Sequence, residues 1–246
     1  MNPLKYKKSS KKRENQNLKV CLVTKATNIQ TVHNSVKPWS DFQYYTNISF
    51  YVVIDSTQKS FGNIFPNFVN VVEVPDSFQP AHAKYKARAL EWFRKHLRLC
   101  ENDWVLHLDE ETKIDTVAED FARFQLPVRL FKRPLLGWMH GSFVLINGGV
   151  ENTITWDTDC LAEDFWFAFH VRLLIVVPIE ELADAARHGF QFGWIHAIAL
   201  EQPPTCLHDL IQQRRRWYSG IMAIDSLLVK VALTISMLGP QFHFNM

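Results

Sequence analysis

The stretch DWVLHLDEET, Asp103–Thr112, constrains this chain most: Trp104-Val105-Leu106-His107-Leu108 is too short for an ordinary helix, and three carboxylates, Asp109, Glu110 and Glu111, follow at once. Such a run reads as a buried strand. Three adjacent like charges repel one another and gain nothing from a core, so the strand end calls for a cation. Three further runs have the same character. NLKVCLVTKA predicts a first strand, ISFYVVIDS a second that stops on Asp55, and FVNVVEVP a third that Pro75 terminates. Between the third and DWVLHLDEE lies AHAKYKARALEWFRKHL, in which Ala87, Leu90, Trp92, Phe93 and Leu97 fall roughly at helical spacing. Strands alternating with helices imply an α/β fold with a mostly parallel sheet. Ligands of such sheets bind beyond the carboxyl ends of the strands, where the strand order reverses. Asp55 and Asp109 both fall at that edge.

The second half is less regular. GSFVLINGGV reads as a strand entering a glycine turn, and CLAEDFWFAFHVRLL as an aromatic-rich helix with Glu163 and Asp164 near its start. FQFGWIHAIAL is strand-like, and TCLHDLIQQRRRWYSGI is a helix entered through Pro203-Pro204. With no linker between the halves, residues 18–225 are expected to form one domain. Residues 1–17 form a lysine-rich tail without apolar periodicity, expected to be disordered. The apolar stretch at 226–246, broken by Lys230 and Pro240, reads as a core helix, an interfacial helix or a shortened membrane segment. The formal net charge of +2 argues against a nucleic-acid binder. Cys21, Cys100, Cys160 and Cys206 are widely spaced, which predicts free, buried thiols in a reducing compartment rather than a disulfide framework. The first residues lack the apolar core of a signal peptide.

Three clusters carry chemistry, each with a plainer reading beside it. Asp109 and Glu111 have the spacing of a D-x-D-type site for Mg²⁺ or Mn²⁺, ions that take oxygen ligands and share them with phosphates and water. A solvated acidic turn or a helix cap has the same spacing. Glu163 and Asp164 adjoin Phe165, Trp166 and Phe167, and desolvation by such neighbours suits a carboxylate to accept a proton; acids at a helix start are also favoured by the macrodipole. In QQRRRWYSG, arginine can grip a diphosphate while Trp217 packs or stacks against a sugar, or the arginines form a solvated face. Lys84, Lys86 and Arg88 add positive charge near the ligand edge. Neither a P-loop nor a dinucleotide fingerprint occurs.

Taken in order, Asp55, Asp109 with Glu111, Glu163-Asp164, and Gln213 with Arg216-Trp217 resemble the D, D-x-D, [TA]-E-D and Q-x-x-R-W pattern of inverting, processive-type family-2 glycosyltransferases. KYKARALEWF, DWVLHLDEET, RFQLPVR, MHGSFVLING, VENTITWDT, LAEDFWFAF, GFQFGWIHAIA and EQPPTCLHDLIQQRRRWYSGI resemble, more narrowly, the egghead-type β-1,4-mannosyltransferases of glycosphingolipid synthesis. These blocks cover most of residues 84–221. The resemblance implies a GT-A fold, a Rossmann-like mixed sheet flanked by helices and here incomplete. It also implies a GDP-mannose donor, a lipid-linked glucose acceptor such as glucosylceramide, and Mg²⁺ or Mn²⁺. By position, Asp55, Lys86, Asp109 and Arg216 would bind the nucleotide sugar, and Asp109 and Glu111 the metal. Asp164 would be the catalytic base, with Glu163, Gln213 and Trp217 at the acceptor site. The expected setting is an ER or Golgi membrane with the catalytic domain cytosolic.

The chain departs from that pattern where the join at 112–121 is short, where residues 171–187 read as an insertion, and where the family's transmembrane helices are absent at the start and cut short at the end. An inactive, truncated relative that binds a nucleotide sugar or a partner is therefore a competing expectation. A glycoside hydrolase using Asp109 and Asp164 is a third, although hydrolysis explains neither the D-E-E cluster nor the arginine-rich helix.

Overall fold

The computed structural model describes residues 16–42, 46–55, 64–115, 143–161, 163–164, 166–167, 170, 198–200 and 206–223. Nearly all of the basic tail, most of the 112–121 join, the 171–187 stretch, the RFQLPVR block and the apolar tail lie outside the described residues. The predicted strands are present as β1 (Asn17–Thr24), β2 (Ile48–Ile54), β3 (Val69–Glu73) and β4 (Asp103–Asp109). With β6 (Phe143–Asn147) they form a five-stranded sheet of order β3-β2-β1-β4-β6, parallel except for β6. A short antiparallel pair, β5 (Lys113–Asp115) with β7 (Ile198–Leu200), stands apart from it.

Strand alternation sorts the core into two layers. Val20, Leu22, Val52, Ile54, Leu106 and Leu108 pack with Val32 and Val36 of α1 (Ile29–Val36). The Asn28 side chain caps that helix by accepting from the Thr31 N–H at 3.2 Å. Cys21, Val23, Val53 and Val105 face Ala89, Leu90 and Phe93 of α2 (Tyr85–Leu97). Phe93 is fully buried, worth about 2–3 kcal/mol in transfer from water. In α2 the residues 86, 90, 93 and 97 share one stripe, so Lys86 points at the sheet one turn before Leu90, beyond the strand ends.

The predicted glycine turn is instead the start of a helix, α3 (Gly148–Ile154). A Cβ on Gly148 would lie 2.5 Å from the Cys100 carbonyl oxygen, so the glycine permits close packing against the turn before β4. Asn147 caps α3 by accepting from the Gly149 N–H at 3.0 Å. The last predicted helix is α4 (Leu207–Ala223). Among the described residues no helix is long and apolar enough to cross a membrane. All four cysteines are free, but Cys100 and Cys206 are exposed while Cys21 and Cys160 are buried.

Candidate active site

Strand order reverses at β1, with β2 and β3 on one side and β4 on the other. This is the ligand-binding crevice of an open α/β sheet, and the predicted acids converge there. Asp109 ends β4, and its carboxylate receives an ion pair and hydrogen bond from Lys86. Lys86 also lies 3.4 Å from Glu163, and a small cavity lined by Lys86, Leu90, His107, Val144, Trp156, Glu163 and Asp164 joins these groups. One lysine therefore faces Asp109, Glu163 and Asp164 together.

Charge explains the titration behaviour. Burial disfavours the Lys86 ammonium, yet Asp109 and Glu163 outweigh that effect and hold its pKa well above the ordinary lysine value. Burial, with Asp164 and Asp109 adding repulsion against the opposing pull of Lys86, pushes Glu163 up to about 7. A carboxyl raised this far can keep its proton near neutrality and so donate as well as accept.

The three adjacent acids divide their work. Glu110 accepts from the Thr24 hydroxyl at 2.5 Å, and its carbonyl accepts from Ser35 at 2.7 Å, so it ties β1 and α1 to the turn. Asp109 keeps 30 % side-chain exposure, and Glu111 is partly buried in the turn that the Thr112 N–H closes on the Asp109 carbonyl. Among the described residues no three His, Cys, Asp or Glu side chains form a ready metal cage. Mg²⁺ and Mn²⁺ do not require one, because one or two carboxylates suffice when diphosphate oxygens and water complete the shell. The partly exposed Asp109, in a cluster where among the described residues several carboxylates share Lys86, fits an ion held in that way.

Asp55, at the end of β2, receives an ion pair from Arg88. Arg88 also donates to the carbonyls of Phe78 at 3.0 Å and Pro75 at 2.9 Å, so it fixes both the acid and the loop that precedes α2. Gln213, Arg216 and Trp217 lie on α4, which Cys160 reaches by a hydrogen bond from Sγ to the Gly220 carbonyl at 3.2 Å. The Arg214 guanidinium sits 4.5 Å over the Trp217 ring and covers part of it, while Arg215 and Arg216 are exposed. The sequence pattern singles out Trp217 for a sugar and does not reveal that Arg214 stacks on it. It also passes over Asp157, whose carboxylate accepts from the N–H groups of His82 at 2.8 Å and Ala83 at 2.7 Å. The buried His107–Glu151 pair is missed as well. The one available signal is that His107 shares the face of β4 with Asp109.

No protein-family model matches the chain. Two curated relatives bear on this site. The β-1,4-mannosyltransferase bre-3 of Caenorhabditis elegans is 27% identical over 224 residues, spanning 72% of this chain and 45% of that protein. The β-1,4-mannosyltransferase egh of Drosophila melanogaster is 24% identical over 203 residues, spanning 63% of this chain and 41% of that protein. The chain is thus similar over most of its length to two β-1,4-mannosyltransferases. It spans under half the length of these curated relatives. The fold is likewise similar to a mannosyltransferase of Pyrobaculum calidifontis, solved in complex with GDP-Man and Mn²⁺: the TM-score is 0.58 at 12% identity, covering 92% of this chain and 71% of that one. The architecture is that of the GT-A glycosyltransferases.

Proposed function

We propose that this chain is an egghead-type transferase that moves mannose from GDP-mannose, in β linkage and with inversion, onto a lipid-linked glucose such as glucosylceramide. The meeting of Lys86, Asp109, Glu163 and Asp164 at the reversal point of the sheet carries the reading. A diphospho-sugar needs positive charge at its leaving group and a carboxylate near the acceptor hydroxyl, and these side chains supply both.

Asp55, held by Arg88, contacts the nucleotide, and Lys86 sets its charge against the diphosphate. The first turn of α2 has no side-chain cap, so its N–H groups add to that positive end. Asp109 and Glu111 would hold Mg²⁺ or Mn²⁺, which would supply positive charge to offset that of the departing diphosphate. Asp164 accepts the proton of the attacking acceptor hydroxyl. The new C–O bond forms on the face of the anomeric carbon opposite GDP, and GDP departs with the electron pair of the broken bond. Glu163, whose proton is held more tightly by burial, donates a hydrogen bond to the acceptor, so the two neighbouring acids divide donor and acceptor roles. Gln213 and Trp217 line the acceptor mouth, and Arg216 supports the diphosphate. A glycolipid acceptor places the reaction at a membrane face, with an ER or Golgi membrane and a cytosolic catalytic domain as the setting.

The test is a thermal-shift series of the full chain with GDP, UDP and GDP-mannose, with and without Mn²⁺, followed by turnover of labelled GDP-mannose with glucosylceramide. Mn²⁺-dependent stabilisation by GDP and a labelled disaccharide lipid are expected. Binding without transfer would reassign the chain as a nucleotide-sugar binder, and no binding at all would remove the reading.

A further inference from the structure

Beneath the acid cluster lies a buried polar pair. His107 is 2% exposed and Glu151 0% exposed, and they meet through Nε2 and Oε1 at 2.7 Å. The other Glu151 oxygen accepts from the Trp156 indole N–H at 3.0 Å. The Trp156 backbone N–H donates to buried Glu91 at 3.0 Å, and its indole stacks on Phe167 with ring centroids 4.2 Å apart and planes 23° apart. Phe167 lies one helical turn past Glu163 and Asp164. A connected path thus runs from β4, two residues before Asp109, to the stretch that bears the acid pair.

Such a group is costly where an apolar pair would pack. Replacing buried ionic or polar pairs by well-fitting hydrophobic residues is often neutral or stabilising, so stability alone does not account for this one. Directional hydrogen bonds instead fix a single arrangement of the groups that share them. A second feature points toward the site. The Nδ1 atom of His107 is buried without a partner among the described residues, and His107 lines the cavity shared with Lys86, Glu163 and Asp164. That cavity has about 10 Å³ of free space.

We propose that His107, oriented by Glu151, is a positioning residue. Through Trp156 and Phe167 it fixes the turn bearing Glu163 and Asp164 at a set distance from Asp109 on its own strand. The consequence for transfer rests on the function proposed above; the positional claim does not.

The experiment compares the full chain with His107→Leu, His107→Gln and Trp156→Phe by hydrogen–deuterium exchange with peptide resolution. Gln offers an amide N–H near the place of Nε2 and keeps the bond to Glu151, whereas Leu removes it. Trp156→Phe keeps an aromatic ring against Phe167 but deletes the donor to Glu151. Exchange in the peptide containing Glu163 and Asp164 is expected to rise about tenfold in His107→Leu and Trp156→Phe and to stay at the parental rate in His107→Gln, with β1 and β2 peptides unchanged. In transfer assays, His107→Leu should lower kcat by about 10- to 100-fold with KM for GDP-mannose within about twofold, and His107→Gln should restore it. Parental exchange at the acid-pair peptide, or a uniform rise in every peptide, overturns the proposal. If His107→Leu does not fold, parental exchange in Trp156→Phe overturns it equally. A parent chain that transfers nothing defeats the function proposed above, while the exchange data still decide the positioning role.

Discussion

Two residues of the same helix, Lys86 and Arg88, reach two strand-end acids of the same sheet edge, and the results differ. Arg88 meets Asp55 and two backbone carbonyls, so its donors are directed at one carboxylate and two neutral acceptors that fasten a loop. Charge there is balanced one against one. Lys86 meets Asp109 and Glu163 with Asp164 beside the same cavity, so that one lysine faces three carboxylates among the described residues. The first pairing is one to one, whereas in the second a single lysine is shared by several acids. Shared carboxylates at the reversal point of an α/β sheet are a mark by which a reactive cluster can be sought.

The most severe challenge to this contrast is Asp164→Asn. The amide keeps the shape and removes the base, so transfer should fall about 10²- to 10⁴-fold while Mn²⁺-dependent stabilisation by GDP persists. Unaltered transfer, read as labelled glycolipid, would take the base role from Asp164. Next is Lys86→Met, which leaves the three acids without their cation. The metal-free chain should lose about 1–3 kcal/mol, discounted from a fully buried pair because Lys86 keeps 24% exposure. Millimolar Mn²⁺ should recover more stability in the variant than in the parent. Melting curves that ignore Mn²⁺ in both proteins would show that the cluster does not hold an ion.

Much of the sheet could be read in the residues, because apolar runs of strand length that stop on Asp55, Pro75 and Asp109 leave few alternatives. The grouping of Asp109 with Glu163 and Asp164 was legible through the order of motifs and their family resemblance, since no local pattern joins residues over 50 positions apart. What escaped was whatever depends on side-chain direction across elements. GSFVLINGGV reads as strand then turn because glycine usually ends an element, yet here Gly148 starts a helix, where Cys100 leaves no room for a Cβ. Glu110 looks identical to its two neighbours in sequence; only the fold turns it toward Thr24. The His107–Glu151 pair spans 44 positions and has no motif of its own.

The proton on Glu163 bears on the same contrast. Its pKa in the fold, about 7, lies above the ordinary carboxylate value, so the folded state binds a proton that the unfolded chain has already released. Stability from this group is fully present below the ordinary value and is lost as pH rises through about 7. Glu91, Asp103 and Asp157 act the other way. Burial raises each of them, but hydrogen bonds and nearby cations outweigh it and hold them low, so their contribution is lost on acidification. The measurement must therefore set the parent against Glu163→Gln in the same buffers. The variant should gain about 1–2 kcal/mol relative to the parent between about pH 5 and pH 8 in metal-free denaturation. A constant difference across that range would mean that Glu163 is ionised throughout.

The smallest effect is expected one residue from the largest cluster. Glu110→Gln keeps a carbonyl oxygen that can accept from Thr24 and leaves the Ser35 bond to the backbone untouched. Stability should change by about 0.5 kcal/mol or less and transfer should stay within about twofold. Asp109→Asn, by contrast, removes the charge that faces Lys86 and should abolish Mn²⁺-dependent binding of GDP. Of three adjacent carboxylates, then, the middle one is tied to the fold, and on the function proposed above its neighbours would serve the ligand. If Glu110→Gln weakened GDP binding as far as Asp109→Asn does, the whole turn would act as one acidic surface, and the distinction between balanced and unbalanced pairs would no longer identify the site.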